Sequence, residues 1–213
     1  NGGGTFAAKV DYQVGNNPRG IFAADVNGDT ALDLVVANFG SDTVSVLKNN
    51  GDGTFAAKVN YSVGSGVFSV FVQDLDNDLS PDIIASNFYG NNVSVLFNNG
   101  DGTFAPKVNY PTGNNPFSVY AKDLDEDGYA DIVSANRSAH SISVLKNNGN
   151  GTFAPKADYP SGNLPLSVFV SDLDSDSDPD IIDANSGSNS VSLYRNNGQG
   201  RFSTVTDYVT SAT

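Results

Sequence analysis

Short runs of β-branched and aromatic residues alternate with clusters of Gly, Asn, Asp and Pro along the whole chain. Between residues 68 and 110 the runs are Phe68 to Gln73, Asp82 to Ser86, Asn92 to Phe97 and Thr103 to Tyr110. Each is bounded by turn residues and predicts a β-strand; the four are labelled A, B, C and D. Strand C alternates, with Val93, Val95 and Phe97 against Ser94 and Leu96, as a strand with two distinct faces does. Strand B has the apolar centre Ile83-Ile84-Ala85, expected of a strand covered on both sides. No segment carries the three-to-four spacing of a helix, so the chain reads as all-β.

The same pattern recurs every 49 residues. Gly-x-Gly-Thr-Phe ends at Phe6, Phe55, Phe104 and Phe153, a weaker Gly-Gln-Gly-Arg-Phe ends at Phe202, and a tyrosine follows each at Tyr12, Tyr61, Tyr110, Tyr159 and Tyr208. Tandem four-stranded units of this length predict the blades of a β-propeller. The expected arrangement is one domain over 1–213 with blades at about 17–61, 66–110, 115–159 and 164–208. D-type segments number one more than A, B or C, so residues 1–12 form an extra N-terminal outer-type strand. That strand either closes the last blade or belongs to a preceding one. The ring accordingly closes with four blades, or two chains pair as a homodimer into a larger ring.

Between strands A and B each unit carries Asp-x-Asp/Asn-x-Asp-x-x-x-Asp. The side chains are Asp25, Asn27, Asp29 and Asp33; Asp74, Asp76, Asp78 and Asp82; Asp123, Asp125, Asp127 and Asp131; and Asp172, Asp174, Asp176 and Asp180. The first three of each set point oxygens at one centre, the carbonyl at position 7 (Ala31, Ser80, Tyr129 or Asp178) adds a main-chain ligand, and the last aspartate closes the shell. An oxygen-only shell of this size suits Ca²⁺, about four ions in all. An EF-hand is excluded, because position 12 is not Glu and a strand follows where a helix would start.

Composition changes this picture little. The net charge is −13, but fifteen of the 24 acidic residues are the loop side chains just named, so the acidity is local. Such a chain is not expected to bind nucleic acid, and no apolar run is long enough for a membrane-spanning helix. With no cysteine, neither a disulfide framework nor a Cys-based metal site is available. The chain starts at Asn1 and reads as a piece of a longer polypeptide. The D–A and B–C loops share the rim opposite the acidic loops, and there the repeats differ most. Asn38 and Phe39, Asn87, Phe88 and Tyr89, and Asn136, Arg137 and His140 are the candidate ligand residues, the rings to stack on a ligand and the polar groups to orient it.

The Asp-Leu-Asp-x-Asp loop, Pro-Asp-Ile-Ile at Pro81 to Ile84 and Pro179 to Ile182, and Val-Leu-x-Asn-Asn-Gly-Asp-Gly-Thr-Phe at Val95 to Phe104 resemble FG-GAP or VCBS-type repeats, the calcium-binding blades of integrin α-subunit propellers and of many secreted bacterial proteins. The resemblance covers nearly the whole chain. It implies an extracellular or cell-surface propeller with calcium in the A–B loops, acting in adhesion or in binding carbohydrate or protein. Two alternatives stand beside that non-enzymatic reading: a spacer repeat of a larger secreted protein, and a polysaccharide lyase or hydrolase on the same scaffold.

Overall fold

The computed structural model describes residues 8–209, and those residues form sixteen strands in four antiparallel sheets. The first sheet runs β1 (Pro18–Ala24), β2 (Asp33–Asn38), β3 (Thr43–Leu47), β4 (Val59–Ser62), and the second β5 (Val67–Gln73), β6 (Asp82–Asn87), β7 (Asn92–Leu96), β8 (Val108–Pro111). The third holds β9 (Pro116–Lys122), β10 (Asp131–Asn136), β11 (Ser141–Leu145) and β12 (Ala157–Pro160); the fourth holds β13 (Pro165–Ser171), β14 (Asp180–Asn185), β15 (Ser190–Asn196) and β16 (Phe202–Val209). Strand order equals chain order in every sheet, as a meander of short turns requires. These are the blades of an all-β propeller.

The core lies between blades, not within them. One apolar cluster fills each junction: Val35, Ala37, Val44 and Val46 meet Val70, Val72, Ile83 and Leu96; Leu75, Ile84, Val93 and Val95 meet Val119, Ala121, Ile132 and Leu145; Leu124, Val133, Ala135 and Val144 meet Val168, Val170, Ile181 and Tyr194. Alternate side chains of a strand point to opposite faces, so the middle strands of the second and third blades are buried on both, which explains the all-apolar centre of strand B.

Two repeat signatures act as rivets across these junctions. The tyrosine of one blade meets the next repeat's Gly-x-Gly-x-Phe phenylalanine edge to face, with centroids 5.3 Å apart for Tyr61 and Phe104, 5.0 Å for Tyr110 and Phe153 and 5.4 Å for Tyr159 and Phe202. The first Asn of Asn-Asn-Gly is buried, and its amide donates back to the preceding blade, from Asn98 to the Val26 carbonyl at 2.7 Å and from Asn147 to Leu75 and Asn196 to Leu124 at 2.8 Å each.

Strand D is shorter than the expected Thr103 to Tyr110. A single bridge joins Asn98 to Phe104, and the ladder resumes only at Val108. Ala and Pro between them favour pairing weakly or cannot donate to it. In the last blade β16 runs unbroken from Phe202 to Val209, where the degenerate repeat replaces Ala-Pro-Lys with Ser-Thr-Val.

Residues 1–7, and with them Phe6, lie outside the described residues. Residues 8–14 form no strand, because among the described residues no strand C stands beside them. They nevertheless lie on the first blade as the edge of a preceding blade would. Tyr12 meets Phe55 edge to face at 5.2 Å, and Lys58 donates to the Val14 carbonyl as Lys107 does to Val63. The innermost strands pack β1 on β5, β5 on β9 and β9 on β13, with no comparable packing of β13 on β1. The expectation of a closed four-bladed ring is therefore not met by the described residues. Its ends show the consequence: Ile21 is 62% exposed where the equivalent Val70, Val119 and Val168 are at most 5%, and Phe169 at the other end is 50% exposed.

Candidate functional site

Each A–B loop is organised by its first aspartate. Asp25 accepts from the N–H groups of Gly28 at 2.8 Å and Thr30 at 2.7 Å; Asp74 from Asn77 at 2.8 Å and Leu79 at 2.9 Å; Asp123 from Gly128 at 2.9 Å; Asp172 from Ser175 at 2.7 Å and Ser177 at 3.1 Å. Burial alone would raise the Asp25 carboxyl, but the donors of Thr30, Gly28, Asn27 and Asp29 outweigh it and hold it below the usual range. To curl this tightly the chain turns left-handed at positions 4 and 6. The φ values are 76° and 71° at Gly28 and Thr30, 60° and 70° at Asn77 and Leu79, 60° and 89° at Glu126 and Gly128, and 66° and 80° at Ser175 and Ser177. Backbone held this way at side chains other than glycine marks a site where geometry serves something besides stability.

The outcome is three carboxylate triads, Asp74/Asp76/Asp78, Asp123/Asp125/Asp127 and Asp172/Asp174/Asp176, each with one oxygen per residue within 4.8 Å of the others. In the first loop Asn27 stands in the middle and donates to Asp29 at 2.9 Å. Burial, with the charges of Asp78 and Asp74 adding to it, pushes the Asp76 carboxyl above its ordinary range. One oxygen each of Asp76 and Asp125 is buried with no hydrogen-bond donor. A buried carboxylate oxygen without a donor is costly, and converging like charges repel; a divalent cation answers both. The residues thus fit a calcium ion, which Asp74, Asp76 and Asp78 and their counterparts would hold.

The position-9 aspartates brace each loop from its buried side. Asp33, Asp82, Asp131 and Asp180 are at most 1% exposed and lie outside the triads. Each ties the loop to the end of strand C: Asp33 accepts from the N–H of Asn49 at 2.7 Å, Asp82 and Asp131 from those of Asn98 and Asn147 at 2.8 Å, and Asp180 from that of Asn196 at 2.9 Å. Burial pushes the carboxyls of Asp82 and Asp131 up to about 7 against the pull of these donors. At position 7 the backbone N–H groups of Ala31, Ser80, Tyr129 and Asp178 donate to the position-5 aspartates at 2.7 to 3.0 Å.

On the other rim the structure divides the expected ligand residues. Asn38, Asn87 and Asn136 are fully buried, and each amide donates at 2.8 Å to a strand-C serine, Ser45, Ser94 or Ser143. They brace the B–C hairpin and are not available to a ligand. His140 is a brace too: its Nδ1 accepts from the Leu164 N–H at 3.0 Å, as Asp42 does from Gly66 at 2.7 Å and Asn91 from Asn115 at 2.8 Å. Phe39, Phe88 and Tyr89 do come together, and two further rings join them from the inner strands. Centroids are 5.9 Å apart for Phe39 and Phe68, 5.5 Å for Phe39 and Tyr89, 5.2 Å for Phe88 and Tyr89, 6.2 Å for Phe88 and Phe117 and 3.8 Å for Phe68 and Phe117. Arg19 lies over Phe39 and Phe68 at 5.4 and 5.5 Å, and Arg137 takes the repeat position of Phe88. Phe68, Phe117 and Arg19 share one repeat position with Leu166; its variation was the available signal, hidden because strand residues read as core. A half-buried bank of rings edged by a guanidinium can stack on the apolar face of a ligand while its polar rim reaches water.

The sequence profile of the FG-GAP-like repeat matches residues 25–85, 74–134 and 123–182. No curated protein sequence matches the chain. Among solved structures it is similar to an Agrocybe aegerita lectin that specifically recognises non-reducing terminal N-acetylglucosamine, with 28% identity and a TM-score of 0.59 over 88% of this chain and 51% of that one. A putative 6-phosphogluconolactonase from Bacteroides uniformis has a TM-score of 0.68 at 18% identity, over 90% of this chain and 55% of that one. A streptogramin B lyase has a TM-score of 0.61 at 16% identity, over 92% and 55%. The last two likenesses show the fold alone. The chain spans about half the length of the structures it matches.

Proposed function

This chain belongs to the FG-GAP-like repeat family, and from that premise we propose that it is a non-catalytic binding module working outside the cell, braced by calcium in its A–B loops and holding a carbohydrate on its aromatic rim. The observation that carries the reading is the cluster of Phe39, Phe68, Phe88, Tyr89 and Phe117 with Arg19. It is built once, by residues of the first three blades with Phe117 coming from β9, whereas the acidic loops recur in all four. A repeated ion site suits a structural role, because a reaction centre is needed once. The lectin likeness supports a sugar as the ligand class, with terminal N-acetylglucosamine the first candidate.

Calorimetric titration in millimolar calcium with an oligosaccharide ending in non-reducing N-acetylglucosamine tests it. Binding is expected, weakened at least tenfold in Tyr89→Ala, whose ring is largely exposed, so that its removal should cost the fold little. A broad glycan array without a hit sinks the ligand. The exposed ends at Ile21 and Phe169 favour a second reading, in which the module is an architectural part of a larger ring, built from a second copy or from further blades; it predicts calcium-dependent stability and no sugar binding.

A further inference from the structure

The residue at the end of strand C differs among repeats: Lys48, Phe97, Lys146 and Arg195. Lys48 donates to the Asp101 carbonyl of the next blade at 2.5 Å, and its own loop has the neutral Asn27 at position 3. Lys146 makes the equivalent contact to the Gln199 carbonyl at 2.6 Å and also pairs with Asp125 at 2.9 Å. Arg195 turns onto its own loop, where one guanidinium nitrogen contacts both Asp174 and, at 3.2 Å, Asp180. Phe97 brings no charge to the second loop; a buried oxygen without a donor remains there on Asp76, as it does on Asp125 of the third.

We propose that the four loops are unequal cation sites: Arg195 serves as a built-in cation in the fourth, while Phe97 leaves the second with four uncompensated carboxylates and makes it the tightest. This rests on the calcium reading above. The fixed charge beside a loop subtracts from what a mobile cation gains. Over the side chains at positions 1, 3, 5 and 9, which leaves out Glu126 and Asp178, it leaves the second loop at a formal −4 and the third and fourth at −3 once Lys146 and Arg195 are counted. The first reaches −3 by its asparagine. The fourth is weakest because a guanidinium engages two of its carboxylates at once, and a calcium ion has to displace those charge-assisted contacts before Asp174 can ligate.

Calorimetric titration of the whole chain with calcium chloride alone tests this, comparing wild type, Arg195→Leu, Phe97→Lys and the control Lys48→Leu. Unequal classes are expected in the wild type. Arg195→Leu should tighten the weakest class about tenfold, or about 1.4 kcal/mol, and Phe97→Lys should weaken the tightest class by a similar factor. Lys48→Leu, with no carboxylate in reach of the lysine in its own loop, should move neither. Four equal sites unaffected by the first two substitutions overturn the inference and leave the calcium reading standing. No calcium uptake by the wild type overturns both.

Discussion

Leu79 is 90% exposed and yet stands at φ 70°, a conformation that costs a residue with a Cβ about 1–2 kcal/mol. The third loop has Gly128 at that position with φ 89°. Leu79→Gly should relieve the strain, and after the greater entropy glycine loses on folding the net gain is expected at about 0.5–1 kcal/mol, seen as a higher Tm with calcium uptake unchanged. The buried aspartates set a pH dependence of opposite sense to the usual one. The folded-state pKa values of Asp82 and Asp131, about 7, lie above the ordinary value near 3.9, so between these limits the folded chain binds more protons than the unfolded one. Stability of the calcium-depleted protein should then fall as pH rises from about 4 to about 7 and level off above. Thermal melts at pH 5 and pH 8 check the sign; a higher Tm at pH 8 would show that these carboxylates are not desolvated. The triads themselves were legible residue by residue, because alternate spacing of carboxylates has few other uses. The rim asparagines were misread, because the strand-C serines that bury them are recognisable as partners only once β2 and β3 are in register.

At the level of the element, the apolar faces of the inner strands are worth what their neighbours make them worth. Val119 on β9 is sealed against the second blade, and Val119→Ala should cost about 2 kcal/mol in lost burial and cavity. Ile21 occupies the same repeat position on β1 facing open solvent, and Ile21→Ala should stay within about 0.5 kcal/mol. Chemical denaturation of the two variants decides this; equal costs would mean that something covers β1 in solution. Strands A, B and C were readable from alternation alone to within a residue or two, since β-branched runs leave few other options. Strand D was not, because its first half is held by the Tyr–Phe and Asn rivets to the neighbouring blade and hardly by ladder bonds, and no periodicity within one strand reports contacts made across blades.

For the molecule as a whole, repetition in the sequence specifies each junction but not how many junctions close the ring. The last blade ends in the face that begins every internal junction, with Phe169, Ile182 and Val191 corresponding to Tyr120, Val133 and Ile142 of the third blade. The first begins with the face that completes one, with Ile21, Leu34 and Leu47 lining an open cleft. A second copy offers the matching face, but its Tyr208 would then seek the place against Phe55 that Tyr12 already holds. Residues 8–17 would therefore compete with a partner blade for this face. Removing residues 1–17 should expose the whole face and raise the dimer fraction measured by light scattering, and Phe169→Ser in the same background should reverse the gain. If the truncated chain stays monomeric at every concentration, burial of these faces is too weak to join two copies, and completion of the ring needs blades whose sequence differs from the four described.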